Sequence, residues 1–218
     1  MEYQQEKHIV MPQDQLMDEA KAALSGKWGV AAVAALIMIV LSLFGELGDF
    51  ASLLAFVFTG PITVGVAFFH LKIAREEEVD INMLFEGFKM FGKALGAYLL
   101  MMIAIFIGVL LLIIPGIIAA LGLSQTFYIL NDDPEIGIVD ALKFSWELTD
   151  GHKFDLLILG LRFLGWILLS ILTLGIGFFF LIPYMNVTFA KFYNSIRYGD
   201  HHSGPEDYED DIMNHLVD

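Results

Sequence analysis

The sequence predicts an all-α, polytopic membrane bundle: six transmembrane helices arranged as three hairpins, each preceded by a short interfacial amphipathic helix. Three observations carry this expectation. The 218-residue chain is 57% hydrophobic and 17% charged, with a mean hydropathy of +0.67, whereas a soluble domain averages roughly 45–50% apolar and about 25% charged. Its apolar residues gather in runs long enough to cross a hydrocarbon core of ~30 Å. Its basic residues fall on alternate connections between those runs, which is how the positive-inside rule sorts a multi-spanning chain.

The elements follow in order. Residues 1–27 are polar and mixed in charge, without the short basic region, apolar run and small-residue site of a cleaved signal peptide, so none is expected. From Trp28 to Phe44 runs an uncharged apolar stretch at the lower limit for a spanning helix, ended by Gly45-Glu46-Leu47-Gly48-Asp49. A second apolar run, Phe50 to Ala74, is interrupted by Gly60-Pro61. The run from Ala94 to Leu130 is too long for one span, and Ile114-Pro115-Gly116 marks either the turn between two spans or an early kink in the second. The run from Leu156 to Phe192 again makes two, with Leu174-Gly175-Ile176-Gly177 as the reversal and Pro183 beyond it. Eleven of the twelve basic residues lie before span 1, between spans 2 and 3, between spans 4 and 5, or at the end of span 6. The twelfth, Arg162, sits inside a span. Both termini are thereby assigned to the cytoplasm. Three regions result: 1–27, an N-terminal segment with an amphipathic helix; 28–198, the membrane domain; and 199–218, an acidic tail expected to be solvated and disordered.

Within the membrane domain a loose threefold repeat is visible. Leu16–Lys27, Met83–Lys93 and Val139–Lys153 are short amphipathic stretches that close on a Gly-Lys or Gly-His-Lys junction and lead into an odd-numbered span. Pro61, Pro115 and Pro183 follow the odd spans, as turns or as kinks. In the second stretch Leu84, Phe88 and Phe91 share one face. The third opens on Asp133-Pro134-Glu135, which reads as an N-cap acid, a proline at the first helical position and an acid in the first turn. Too short and too charged to span, these helices are expected in the headgroup plane. There Lys27, Lys93, His152 and Lys153 act as interfacial residues, either as plain topological anchors or as contacts to lipid phosphates.

Several functions are excluded or disfavoured by composition. A net charge of −14 argues against nucleic acid, whose binders carry basic faces. With no cysteine, disulfides, thiolate zinc sites and cysteine nucleophiles are absent. His201-His202 with Glu206, Asp207, Glu209, Asp210 and Asp211 invites a metal reading, but an acidic solvated tail is preferred. No cofactor or metal is therefore assigned. Nor is there a nucleophile with a base, a carboxylate pair or a phosphate loop; His152 beside Asp150 lacks any accompanying motif.

The segments GPITVGVAFFHLKIAREEE, LFEGFKMFGKALGAYLL, LLLIIPGIIAALGLSQTFYIL, DDPEIGIVDALKFSWELTDGHK and LTLGIGFFFLIPYMNVTFAKFY together resemble the bacterial DUF975 family, over about residues 17–196. The chain is also loosely similar to membrane regions attached to some glycerophosphodiester phosphodiesterases. The first resemblance implies a polytopic inner-membrane protein and supplies no catalytic residues; the tail beyond Arg197 lies outside it.

Polar residues within the spans are the candidate site, because an ionisable group in hydrocarbon is costly. Arg162 lies nine residues past Lys153, about 13 Å into the core. No acid in the sequence is assigned to that depth, so either its side chain snorkels back toward the cytoplasm or it holds an anion. Asn186 is expected at the same level, and with Gln125, Thr188 and His70 it forms the tentative ligand-binding set. Interhelical packing bonds are the alternative for these groups, and the favoured one. The function expected is that of a non-enzymatic membrane subunit supporting transport, export or envelope maintenance. It would act through membrane lipids and through a protein partner reached by the acidic tail, with a homo-oligomer as a further arrangement. The alternative is a small transporter or channel for an anion or amphiphile.

Overall fold

The computed structural model describes residues 11–199. They form helices joined by turns, with no strand among the described residues. In order these are α1 (Gln13–Ala23), α2 (Trp28–Phe44), α3 (Asp49–Ala74), a 3-10 helix (Ile81–Met90), α4 (Phe91–Leu111), α5 (Ile113–Leu123), α6 (Thr126–Asp132), α7 (Ile138–Leu148), α8 (Lys153–Arg162), α9 (Leu164–Leu172) and α10 (Phe178–Tyr198). A short 3-10 turn, Gly45–Leu47, joins α2 to α3 where the acid-bearing break was expected.

Among the described residues, Asp49–Ala74, Ile81–Leu111, Ile113–Asp132 and Lys153–Leu172 are long and apolar enough to cross a membrane. A fifth appears if Gln13–Ala23 and Trp28–Leu43, bent by 98°, count as one span. The sequence expectation was six. Helix α2 has 17 residues, and α10 mixes Asn186, Thr188, Lys191, Asn194 and Arg197 into its apolar run, so neither qualifies alone. Apolar side chains stand exposed on α4, α5 and α9, among them Phe106, Leu110, Ile113, Leu168 and Leu172. Apolar surface of that kind on a helical bundle suits a lipid environment.

Two of the three Gly-Lys junctions behave as helix ends. Gly26 and Gly151 adopt φ of +79° and +83°, the left-handed cap that glycine takes without steric penalty. The second junction departs from the pattern: α4 begins at Phe91, so Gly92 lies in its first turn and ends nothing. The segment before it is a 3-10 helix, and its buried residues Leu84 and Gly87 recur every third position, the 3-10 period. Of the face expected there, Leu84 is buried while Phe88 and Phe91 are half-buried and meet Phe58, at centroid distances of 5.8 and 6.2 Å. This segment is seated on α3 backbone to backbone. A Cβ on Gly65 would lie 1.9 Å from the Leu84 carbonyl oxygen, and one on Gly87 would lie 2.0 Å from that of Pro61.

The prolines and turns resolve similarly. Pro61 and Pro183 sit inside α3 and α10, which run through them. The turn between α4 and α5 falls on Leu112, a single extended residue, and Pro115 enters the first turn of α5, where its missing N–H costs little. The two helices then pack closely: a Cβ on Gly108 would meet the Gly116 Cα at 2.9 Å. The α9–α10 reversal uses Leu174 and Gly175, both at positive φ, with the Gly175 N–H donating to the Ser170 carbonyl at 3.0 Å. Asp133 does not cap a helix as expected. It ends α6, and its carboxylate accepts from the N–H groups of Glu135 and Ile136 in an Asx-type turn, so α7 starts only at Ile138.

Candidate functional site

The strongest concentration of buried polar chemistry is at one end of the bundle, where α3, α6 and α10 finish together. Asp132 is the last residue of α6, Arg75 caps α3, and Tyr193, Asn194, Arg197 and Tyr198 occupy the last turns of α10. Arg75 Nη1 and Nη2 each donate to one Asp132 carboxylate oxygen at 2.8 Å, the bidentate geometry that a planar guanidinium favours. The side chains are only 7% and 4% exposed. Arg75 Nη2 also donates to Asn194 Oδ1 at 3.2 Å. The hydroxyls of Tyr193 and Tyr198 donate to Asp132 Oδ2 at 2.9 and 2.7 Å.

Arg197 completes the cluster. Its guanidinium lies 3.9 Å from Asp132 Oδ2, donates to the Tyr193 hydroxyl, and rests over the rings of Phe144, Tyr193 and Tyr198 at 5.2–5.6 Å. Two arginines thus face one carboxylate, and the electron-rich ring faces stabilise the second cation. Burial alone would lower the Arg75 pKa, but the hydrogen bond and charge of Asp132 outweigh it and raise the value. Burial first, then the charge of Asp132, pushes the Tyr198 hydroxyl above its ordinary range, keeping it a donor. The Asp132 carboxylate therefore accepts four hydrogen bonds, one on Oδ1 and three on Oδ2. Chemically the cluster is a clasp that ties three helix ends together.

A second polar seam joins α7 to the break between α5 and α6. Ser145 Oγ donates to the Gly122 carbonyl at 2.9 Å and accepts from the Gln125 N–H at 3.2 Å. Thr149 Oγ1 approaches the same carbonyl at 3.2 Å. A Cβ on Gly122 would strike the Trp146 ring at 2.4 Å, so glycine there admits the indole.

The residues singled out from the sequence are placed separately. Arg162 meets the Asp14 carboxylate at the start of α1, which corrects the expectation that no acid stands level with its head: the first turn of α1 reaches α8 through Gln13 and Asp14, and sequence position did not reveal that. Gln125 is buried; its Nε2 donates to Ser124 Oγ at 2.7 Å, while its Oε1 has no hydrogen-bond partner among the described residues. Thr188 Oγ1 donates to the Tyr184 carbonyl at 2.7 Å. His70 Nδ1 lies 2.8 Å from the Val66 carbonyl. Asn186 is half-buried, and its backbone carbonyl accepts from the Tyr128 hydroxyl at 3.5 Å. No hydrogen bond or ion pair unites these five among the described residues.

The interfacial set meets the protein's own groups. Lys27 Nζ donates to the Glu77 carbonyl at 2.7 Å and Lys93 Nζ to that of Pro134. Lys153 Nζ lies 4.6 Å from the centre of the Trp146 ring. His152 Nδ1 is 3.5 Å from Asp155. The tail histidines and acids fall outside the described residues. No group of three or more His, Cys, Asp or Glu side chains suited to a metal ion occurs among the described residues.

The clasp was missed at the sequence level. Its signal was available on α10: Tyr193, Asn194, Arg197 and Tyr198 share one face at i, i+1, i+4 and i+5, just past an apolar run. No curated protein and no solved structure matches the chain. The model of the DUF975 family, described as a protein of unknown function, matches residues 11–121 and 101–199. The chain, helical throughout its described elements and rich in apolar helices, belongs to the DUF975 family.

Proposed function

We propose that the chain is a non-enzymatic protein of the bacterial inner membrane. It has six spans with both termini cytoplasmic, and it serves as an accessory or structural subunit in transport, export or envelope maintenance. The observation that carries this reading is the internal pairing of Asp132: both its oxygens accept from Arg75, and Oδ2 also from Tyr193 and Tyr198, which makes it a fastening rather than a reactive centre. The surface outside the clasp is largely apolar on α4, α5 and α9, which supports action through lipid and protein contacts. The acidic segment 199–218 is the region proposed to reach a basic partner.

Native mass spectrometry of the full chain, extracted gently from its own membrane, tests this. A second protein present in fixed ratio, and lost on deleting 199–218, is the expected result. A chain that flies alone or as a homo-oligomer, with or without the tail, overturns the accessory role. Fusions of a fluorescent protein that folds only in the cytoplasm, placed at each end, test the orientation; a dark fusion at either end overturns it.

One observation favours the transporter alternative. Gln125 sits at the discontinuity between α5 and α6 with its Oε1 buried and unpartnered, and broken helices with free polar groups mark binding sites in transporters. Solute-dependent stabilisation of the reconstituted chain that disappears in Gln125→Ala and Arg162→Ala would favour it. No solute response in the unmodified chain would remove it.

A further inference from the structure

A groove of about 340 Å³ opens sideways between α2, α9 and α10, within the range of ligand sites, roughly 300–1,000 Å³. Trp28, Trp166, Leu169, Phe180 and Leu181 form its walls, and Lys21 of α1 lines it as well. Its two ends are distinct. The Tyr184 hydroxyl donates to the Met17 carbonyl, one turn before Lys21, which sets α1 at one end. Thr173 and Gly177, at the α9–α10 reversal, stand at the other. From Trp166 to Thr173 the groove follows about 10 Å of helix.

The hydroxyls that line the groove have no donor to spare. Ser170 Oγ donates to the Trp166 carbonyl at 2.8 Å, Thr173 Oγ1 to that of Ser170 at 2.9 Å, and Tyr184 to Met17. What remains is an apolar channel with one ammonium group at its edge. Lys72, Arg75, Lys89, Lys153, Arg162, Lys191 and Arg197 each meet a carboxylate, and Lys27 and Lys93 each meet a carbonyl. Lys21 and Lys143 have no such partner among the described residues, and of the two only Lys21 lines the groove; even Asp18, one turn away on α1, makes no ion pair with it.

The geometry points to a binding site for an anionic phospholipid, with one acyl chain lying along Trp28, Trp166 and Phe180 and the phosphate held by Lys21. The inference rests on the membrane reading above and adds a ligand class to its lipid contacts. A free soluble anion would leave the apolar walls uncovered. A zwitterionic lipid would bring its own cation beside Lys21. An anionic lipid satisfies both features, and the tryptophans suit the boundary between headgroup and chain.

Tryptophan fluorescence tests this in the full chain, reconstituted in phosphatidylcholine bilayers in which either the phosphatidylcholine or an added phosphatidylglycerol carries brominated acyl chains. Brominated phosphatidylglycerol is expected to quench with about tenfold preference, the effect of one charge-assisted contact. The preference disappears in Lys21→Gln, survives in Lys21→Arg and is unchanged in Lys143→Gln. Equal quenching by the two lipids, or a preference that persists in Lys21→Gln, overturns the site while leaving the membrane reading intact. Absence of quenching by either lipid overturns the membrane reading itself.

Discussion

The two terminal nitrogens of Arg75 lie 2.8 Å from the two carboxylate oxygens of Asp132, although 57 positions separate the residues in sequence. Both side chains are buried, so removing one partner strands the other. Asp132→Ala leaves Arg75 and Arg197 without their acid and is expected to cost about 3–5 kcal/mol. Tyr198→Phe, which removes one donor of several, is expected to cost about 1 kcal/mol. Unfolding in mixed micelles titrated with a denaturing detergent measures both. Similar small losses for the two variants would show that the clasp does not hold the helix ends.

The seat of the 3-10 segment on α3 makes a steric prediction. Alanine at Gly65 or Gly87 would push a methyl group into backbone rather than into a movable side chain. Each substitution should destabilise by about 1–3 kcal/mol. Gly92→Ala, where a Cβ meets nothing within 4 Å, should be neutral or slightly stabilising, because alanine suits a helix better. The same unfolding assay compares the three, and a Gly92→Ala loss equal to the other two would contradict the seat.

Ser145 bridges two backbone groups freed where α5 gives way to α6. Ser145→Ala strands the Gln125 N–H, while the Gly122 carbonyl keeps Thr149 beside it, and should cost about 1–3 kcal/mol. Hydrogen exchange localises the effect: faster exchange is expected at Gln125, with α10 unchanged. Uniform acceleration along the chain would argue against a local bridge.

Arg162 and Asp14 present the opposite case, with side chains 38% and 84% exposed. A pair so open contributes less than about 1 kcal/mol. Arg162→Ala and Asp14→Asn should each leave stability within that margin and leave a cellular phenotype intact. If Arg162→Ala abolishes the phenotype while Asp14→Asn does not, the guanidinium acts on something other than Asp14.

The helices that single stretches of sequence encode were legible. The Trp28–Phe44 run is α2 to the residue, and the reversal at Leu174–Gly177 follows α9 as expected. The Gly26 and Gly151 junctions terminate helices because glycine alone takes positive φ at little cost. The second junction misled because Phe91 continues straight from the 3-10 segment, and the backbone contact with α3 holds that segment in its tighter winding. Asp132 was illegible for a different reason. In Asn131-Asp132-Asp133-Pro134 it looks like one more acid in a polar turn, and only the convergence of α3 and α10 makes it the centre of a network.

The sequence by itself determined the chemical class: apolar runs, few charges within them and glycine-marked ends require a helical chain in an apolar solvent, because backbone groups must there satisfy one another locally. Tertiary structure alone decided which charges meet. Arg75, Asp132 and Arg197 belong to helices far apart in the chain, and a buried ion pair is worth keeping only where packing brings bidentate geometry and extra donors to the same point. That packing also left Lys21 unpaired beside an apolar groove, an outcome that depends on where α1 comes to rest rather than on any local pattern.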